Sequence, residues 1–147
     1  MQFSVDKTAW GSGDMEDLNK FIGIPYKSGR ESMQGCDCIG LARLFYQAHG
    51  WKQDFRDGKP IVAKEDASAW KRLFRYMRAN FEKIEVTQLT FGDIVLFEIE
   101  RDIHFGIYLE YGQMLAMQVP CIDGKTMSTI YRRSWWMPYF KYGYRRK

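Results

Sequence analysis

Apolar positions in the first half of the chain recur at helical spacing; those of the second half cluster or alternate as strands do. Met15, Leu18 and Ile22 share one face of a helix over 14–22, which Gly23 is placed to stop. Pro25 opens an irregular stretch, rich in Gly and Ser, that runs to Gly35. Ile39, Leu41, Ala42, Phe45 and Tyr46 make the apolar side of a helix over 38–49, closed by Gly50. Residues 51–66 are polar and loop-like. A further helix over 67–81 turns Trp70, Leu73, Phe74 and Met77 inward.

The period then changes. Gly92-Asp93 reads as a turn into a buried strand, Ile94-Val95-Leu96-Phe97. Residues 104–111 form a second strand, Tyr111-Gly112-Gln113 a hairpin turn and 114–119 the returning strand. Shorter strands are expected over 129–132 and 139–144. Helices first and antiparallel strands after predict an α+β fold, one domain over residues 1–147.

Composition narrows the picture. The chain has 147 residues, 46% hydrophobic and 16% aromatic, enough to build a core and too apolar for extensive disorder. No apolar run approaches the roughly 20 residues of a membrane helix, so no membrane span is expected. The first seven residues lack the basic and apolar regions of a signal peptide, which predicts cytoplasmic synthesis without a leader. The net charge is +4, unevenly spread. Residues 126–147 hold six bases and no acid, whereas residues 1–125 hold 16 bases against 18 acids. Arg132, Arg133 and residues 145–147, interleaved with aromatics, are the ingredients of a nucleic-acid surface. Trp135, Trp136, Tyr139, Phe140, Tyr142 and Tyr144 are instead expected to close the sheet and core, so nucleic acid is not the expected partner.

Three cysteines cannot all pair within the chain, and Cys36-x-Cys38 is too close for an ordinary bridge. With two histidines at unsuitable spacings, Cys36, Cys38 and Cys121 do not make a zinc site, and no metal or cofactor is expected. Each thiol is then either a buried small hydrophobe or a reactive group. Cys38 stands where a helix begins, and the free amides of a helix N-terminus favour thiolate and an oxyanion beside it. Cys36, in the loop before it, has neither advantage. A thiolate nucleophile needs a base. His49 lies eleven residues along the same helix, roughly 16 Å away at 1.5 Å per residue, so of the two only His104 can meet the thiol, and only through tertiary folding. Spacing alone equally allows a surface His104 beside a buried Cys38.

Four segments add to this reading: Ile24-Pro25-Tyr26-Lys27-Ser28-Gly29-Arg30, Gly35-Cys36-Asp37-Cys38-Ile39-Gly40-Leu41, Gly92-Asp93-Ile94-Val95-Leu96-Phe97 and His104-Phe105-Gly106-Ile107-Tyr108-Leu109. In this order they resemble the NlpC/P60 family of cysteine peptidases, over about residues 14–120. The resemblance implies a papain-like α+β fold and cleavage of bacterial cell-wall stem peptides. It implies Cys38 as nucleophile and His104 as base, then acid. Tyr26 matches the family's loop tyrosine near the oxyanion, or packs against the helix start. Asp37 matches the residue that in some members binds the free amine of the stem peptide, and is equally an N-cap.

The chain departs from the pattern at Ile39, where a small Ser is common, and at Ser28-Gly29-Arg30, where Gly-Gly is usual. Ala116 stands where a third polar residue orients the imidazole. Gln118, on the same strand face, is either its substitute or an ordinary strand residue. The resemblance therefore implies a stand-alone peptidoglycan peptidase; the run from Asp37 to Arg43 looks like the phage-tail subgroup, with phage tail proteins as partners. The alternatives are a degenerate binding or tail-structural module and an injected antibacterial amidase. Under each, the basic tail is expected to attract the domain to anionic wall polymers.

Overall fold

The computed structural model of the chain describes residues 18–55 and 67–147. A small hairpin, β1 (Glu31–Ser32) and β2 (Gly35–Cys36), leads into helix α1 (Cys38–Ala48). Helix α2 (Ala67–Asn80) and strand β3 (Phe81–Ile84) follow. Strands β4 (Ile94–Ile99), β5 (Asp102–Tyr108), β6 (Met114–Met117) and β7 (Ser128–Tyr131) come next. A short helix, α3 (Arg133–Trp136), precedes the last strand, β8 (Phe140–Arg146). No described helix is long and apolar enough to cross a membrane.

The six longer strands form one antiparallel sheet in the order β3-β8-β4-β5-β6-β7. Strand alternation divides their side chains between two layers. Ile94, Leu96, Phe105, Ile107 and Leu115 share a core with Leu41 and Phe45 of α1. Val95, Phe97, Met114 and Ala116 pack with Trp136 of α3, whose indole N–H donates to the Gly112 carbonyl at 2.8 Å. This is the expected α+β arrangement, with α1 laid against β5 and β6.

Helix α1 carries its own stop. Gly50, at φ +71°, lets its N–H reach Gln47 O at 3.1 Å while Trp51 N–H reaches Tyr46 O at 3.0 Å, the two bonds of a Schellman ending. The Trp51 ring then stacks on His49 at 4.8 Å and lies under the Arg146 guanidinium at 3.5 Å. Gly92 is needed beside it. A Cβ there would meet the indole at 2.5 Å, on a backbone with φ +91°.

Several expectations change. Of the helix expected over 14–22, residues 14–17 lie outside the described residues. Near its end Phe21 is buried at 1% exposure, whereas Ile22, expected inward, is exposed. A helical turn ends there and the chain extends toward Ile24, so the 3.6-residue period that placed Ile22 inward no longer applies. Strands β1, β2 and β3 and helix α3 were not expected, each being too short to show a period. The basic, aromatic tail is no appendage, since β8 lies between β3 and β4. Arg145 reaches from it to the buried Asp93, at 2.9 Å to Oδ2, and also donates to Gln88 O and Thr90 Oγ1. It is an anchor rather than a free surface charge.

Ser128 ties the first described segment to the sheet. Its hydroxyl donates to Phe21 O at 2.6 Å and accepts from Ile24 N–H at 2.8 Å, and the residue is 1% exposed. Ser128→Ala would leave two buried backbone groups unmatched. The expected loss is about 1–3 kcal/mol, read in urea unfolding as a lower midpoint at unchanged slope.

Candidate active site

Cys38 is the first residue of α1, buried at 3% exposure in the core that joins α1 to the sheet. What fixes this helix start is Asp37. Its Oδ1 accepts from Gly40 N–H at 2.7 Å, the N-cap bond, and its Oδ2 accepts from Gly29 N–H at 3.1 Å. One carboxylate thereby joins the helix to the loop that carries Tyr26. A second tie is the bridge between Tyr26 and Cys36, whose backbone amide also donates to Pro25 O at 3.1 Å. Gly40 is required within the first turn, because a Cβ there would lie 2.6 Å from the Arg30 carbonyl oxygen. The cap role expected for Asp37 is present, with both oxygens turned to the protein's own backbone.

Burial pushes the Cys36 thiol up to about 12, and the charges of Asp37, Cys38 and Glu31 add to the shift. Cys36 therefore stays protonated throughout the neutral range and is no nucleophile. Burial also raises the Asp37 carboxyl above its ordinary value, against the lowering pull of its bonds to Gly40 and Gly29.

His104 sits near the start of β5, buried at 4% exposure and paired with Phe97 of β4. Its ring stacks on the Phe97 ring at 5.2 Å, with Trp135 edge-on to the far partner at 6.1 Å. His104 and Tyr26 line the same cavity, of about 650 Å³, together with Trp70, Cys121, Trp135 and Tyr139. That volume suits a small peptide segment. The fold thus brings Tyr26 and His104 to one chamber. It also lays the helix that begins at Cys38 against the strand that carries His104. His49, at the other end of α1, holds Phe45 O at 2.8 Å through Nδ1 and is a helix-end residue.

Gln118 is placed differently from the expectation. The β5–β6 register pairs Gly106 with Ala116, and two residues on it sets Gln118 opposite His104. Yet the Gln118 amide oxygen accepts from Met127 N–H at 3.0 Å, and its backbone N–H donates to Met127 O at 2.9 Å. It closes the end of the β6–β7 pair instead of receiving an imidazole proton. Ala116, at the position expected to be polar, is buried among apolar residues.

One part of the cavity wall escaped the sequence reading. Glu100 and Arg101, the two-residue turn between β4 and β5, both have positive φ, 51° and 71°. Such turns ordinarily carry Asn or Gly, and neither is present to signal one. The charged stretch Glu100-Arg101-Asp102, which follows Ile99 at the junction of two apolar-rich runs, was the available signal. Cys121 was counted as a thiol but not placed at the site.

Comparison with known proteins adds to this geometry. The model of the NlpC/P60 family matches residues 23–143. No curated protein matches the chain. Among solved structures, the NlpC/p60 domain of the peptidoglycan hydrolase SagA superposes with a TM-score of 0.55 at 20% identity, over 95% of this chain and 97% of that one. A Staphylococcus aureus protein of the NLP/P60 family, similar to lipoprotein, gives 0.58 at 19% identity over 99% of this chain. This chain spans 43% of that protein.

The double bond-acceptance of Asp37 sets an expected outcome. Asp37→Ala should lower stability by about 1–2 kcal/mol, while Asp37→Asn keeps the Gly40 bond and loses less. The sign with pH follows from the raised carboxyl: the folded state holds that proton more tightly than the unfolded chain. Its contribution is therefore largest in acid and declines as pH rises from the ordinary 3.8 through the folded value. Asp37→Asn should gain on the wild type across that interval, measured as unfolding midpoints at pH 3.5 and 6.5.

Proposed function

The chain belongs to the NlpC/P60 family, and from that premise we propose that it is a thiol hydrolase that cuts an amide bond in peptidoglycan stem peptides. One observation carries the proposal. The helix that starts at Cys38, with its cap buried and tied to the Tyr26 loop, lies against the strand of His104, and Tyr26 and His104 share a cavity.

In this reading the Cys38 sulfur attacks the scissile carbonyl carbon, and His104 takes the thiol proton. The free amides at the start of α1 face the developing oxyanion, with Tyr26 beside it. His104 then returns the proton to the leaving amine as the C–N bond breaks. Water hydrolyses the remaining thioester, and the acid product and free thiol are regenerated. The imidazole is held by its stack on Phe97, and Gln118 takes no part. Asp37 serves the chemistry by holding the helix start and does not itself bind substrate. We place the enzyme in a phage or prophage tail, on the likeness of the run from Asp37 to Arg43 to that subgroup.

Purified peptidoglycan digested with wild type should release fragments that mass spectrometry finds absent with Cys38→Ala. Iodoacetamide should alkylate Cys38 rapidly below pH 7, slowly after His104→Ala, and at an unchanged rate after Gln118→Ala. Ordinary, slow thiol kinetics at Cys38 in the wild type would overturn the proposal.

A further inference from the structure

A second concavity lies beside the first. It is a groove of about 600 Å³ between α2, β3 and β8, and five of the side chains in its wall are cations. Lys71, Arg75 and Arg78 come from one side of α2, at spacings of four and three residues, and Lys83 and Lys141 face them from β3 and β8. No carboxylate among the described residues lines it. Among the described residues, Lys141 alone of the five forms an ion pair, at 2.7 Å to Glu98 Oε2, a group outside the wall. Helix α2 has four bases and no acid in its 14 residues. Like charges at these spacings repel, so the apo protein holds a cluster that a bound anion would relieve.

The floor decides which anion. Phe74, Tyr142, Tyr144 and Ile103 form it, but their ring surfaces are engaged within the protein. Tyr144 is 4% exposed, the Lys83 ammonium sits 4.2 Å over the Tyr142 ring, and Phe74 packs on Trp70 at 6.1 Å. Single-stranded nucleic acid is bound by backbone charge together with open aromatic faces for its bases. Here the charge is present and the open faces are not. Ile103 belongs to the walls of both the groove and the His104 cavity, so a chain lying in the groove leads to the candidate active site.

The geometry points to a binding site for a phosphodiester-linked polyol polymer in this groove, which docks the domain on its substrate. This rests on the peptidoglycan reading above for its purpose, though not for its chemistry. It also relocates the basic attraction assigned to the C-terminal tail. Arg145 of that tail is bound to Asp93, whereas Lys71, Arg75 and Arg78 stand exposed on α2.

The test uses the full chain carrying Cys38→Ala, so turnover does not enter, and titrates it with poly(glycerol phosphate) and with an oligodeoxythymidylate of equal charge. Binding of the polyol phosphate should weaken as salt rises. Replacing Lys71, Arg75 and Arg78 together by Gln should reduce it about tenfold or more at low salt, while Arg75→Lys with Arg78→Lys retains it. Unchanged affinity in the Gln variant would overturn the proposal, as would tighter binding of the oligonucleotide. Alkylation of Cys38 in the Gln variant of the otherwise wild-type chain separates the two readings. Lost binding with normal alkylation concerns the groove alone, and normal binding without Cys38-dependent wall fragments concerns the enzyme alone.

Discussion

A single buried carboxylate holds the architecture of the site together. Asp37 is 3% exposed, and a charge so placed is costly unless the surrounding dipoles answer it. Two backbone amides offset part of that cost, Gly40 in the helix and Gly29 in the preceding loop, though burial still raises the carboxyl. Backbone bonds reinforce the joint, Asp37 N–H to Arg30 O at 3.2 Å and Lys27 N–H to Cys36 O at 3.0 Å. The helix start, the loop tyrosine and the small β1–β2 hairpin are therefore tied together at several points. The thiol at the head of α1 inherits its position from that joint.

The second constraint is that the sheet divides two chemistries between its layers. Alternation along β5 sends Phe105 and Ile107 into the core under α1 and leaves His104 stacked on Phe97. The ring contact with Phe97 joins the imidazole to the layer that also holds Ala116 and Trp136. The cavity is walled by Trp70 of α2 and, from a segment more than 60 positions later, by Trp135 and Tyr139.

These facts explain which parts were legible in the sequence. Helix α1 could be read because its apolar spacing, its Asp cap and its Gly stop all lie within or next to the helix itself. Strands β4, β5 and β6 were legible for the same reason. Nothing local announces that β8 inserts between β3 and β4, that Arg145 finds Asp93 from 52 positions away, or that Gln118 turns to Met127. Charge suffered most from this. Counted along the chain, basic residues pile up at the end; in space, the open cluster is on α2, with only Lys141 contributed by the last strand.

The place of β8 has a consequence for how the protein comes into being. Synthesis delivers the strands in order, and the strand that joins β3 to the rest of the sheet arrives after both of its neighbours. Until residue 146 has left the ribosome, β3 and β4 present facing edges with no partner between them, and neither core layer is complete. A nascent chain that already carries Cys38 and His104 has not yet acquired the sheet that positions them.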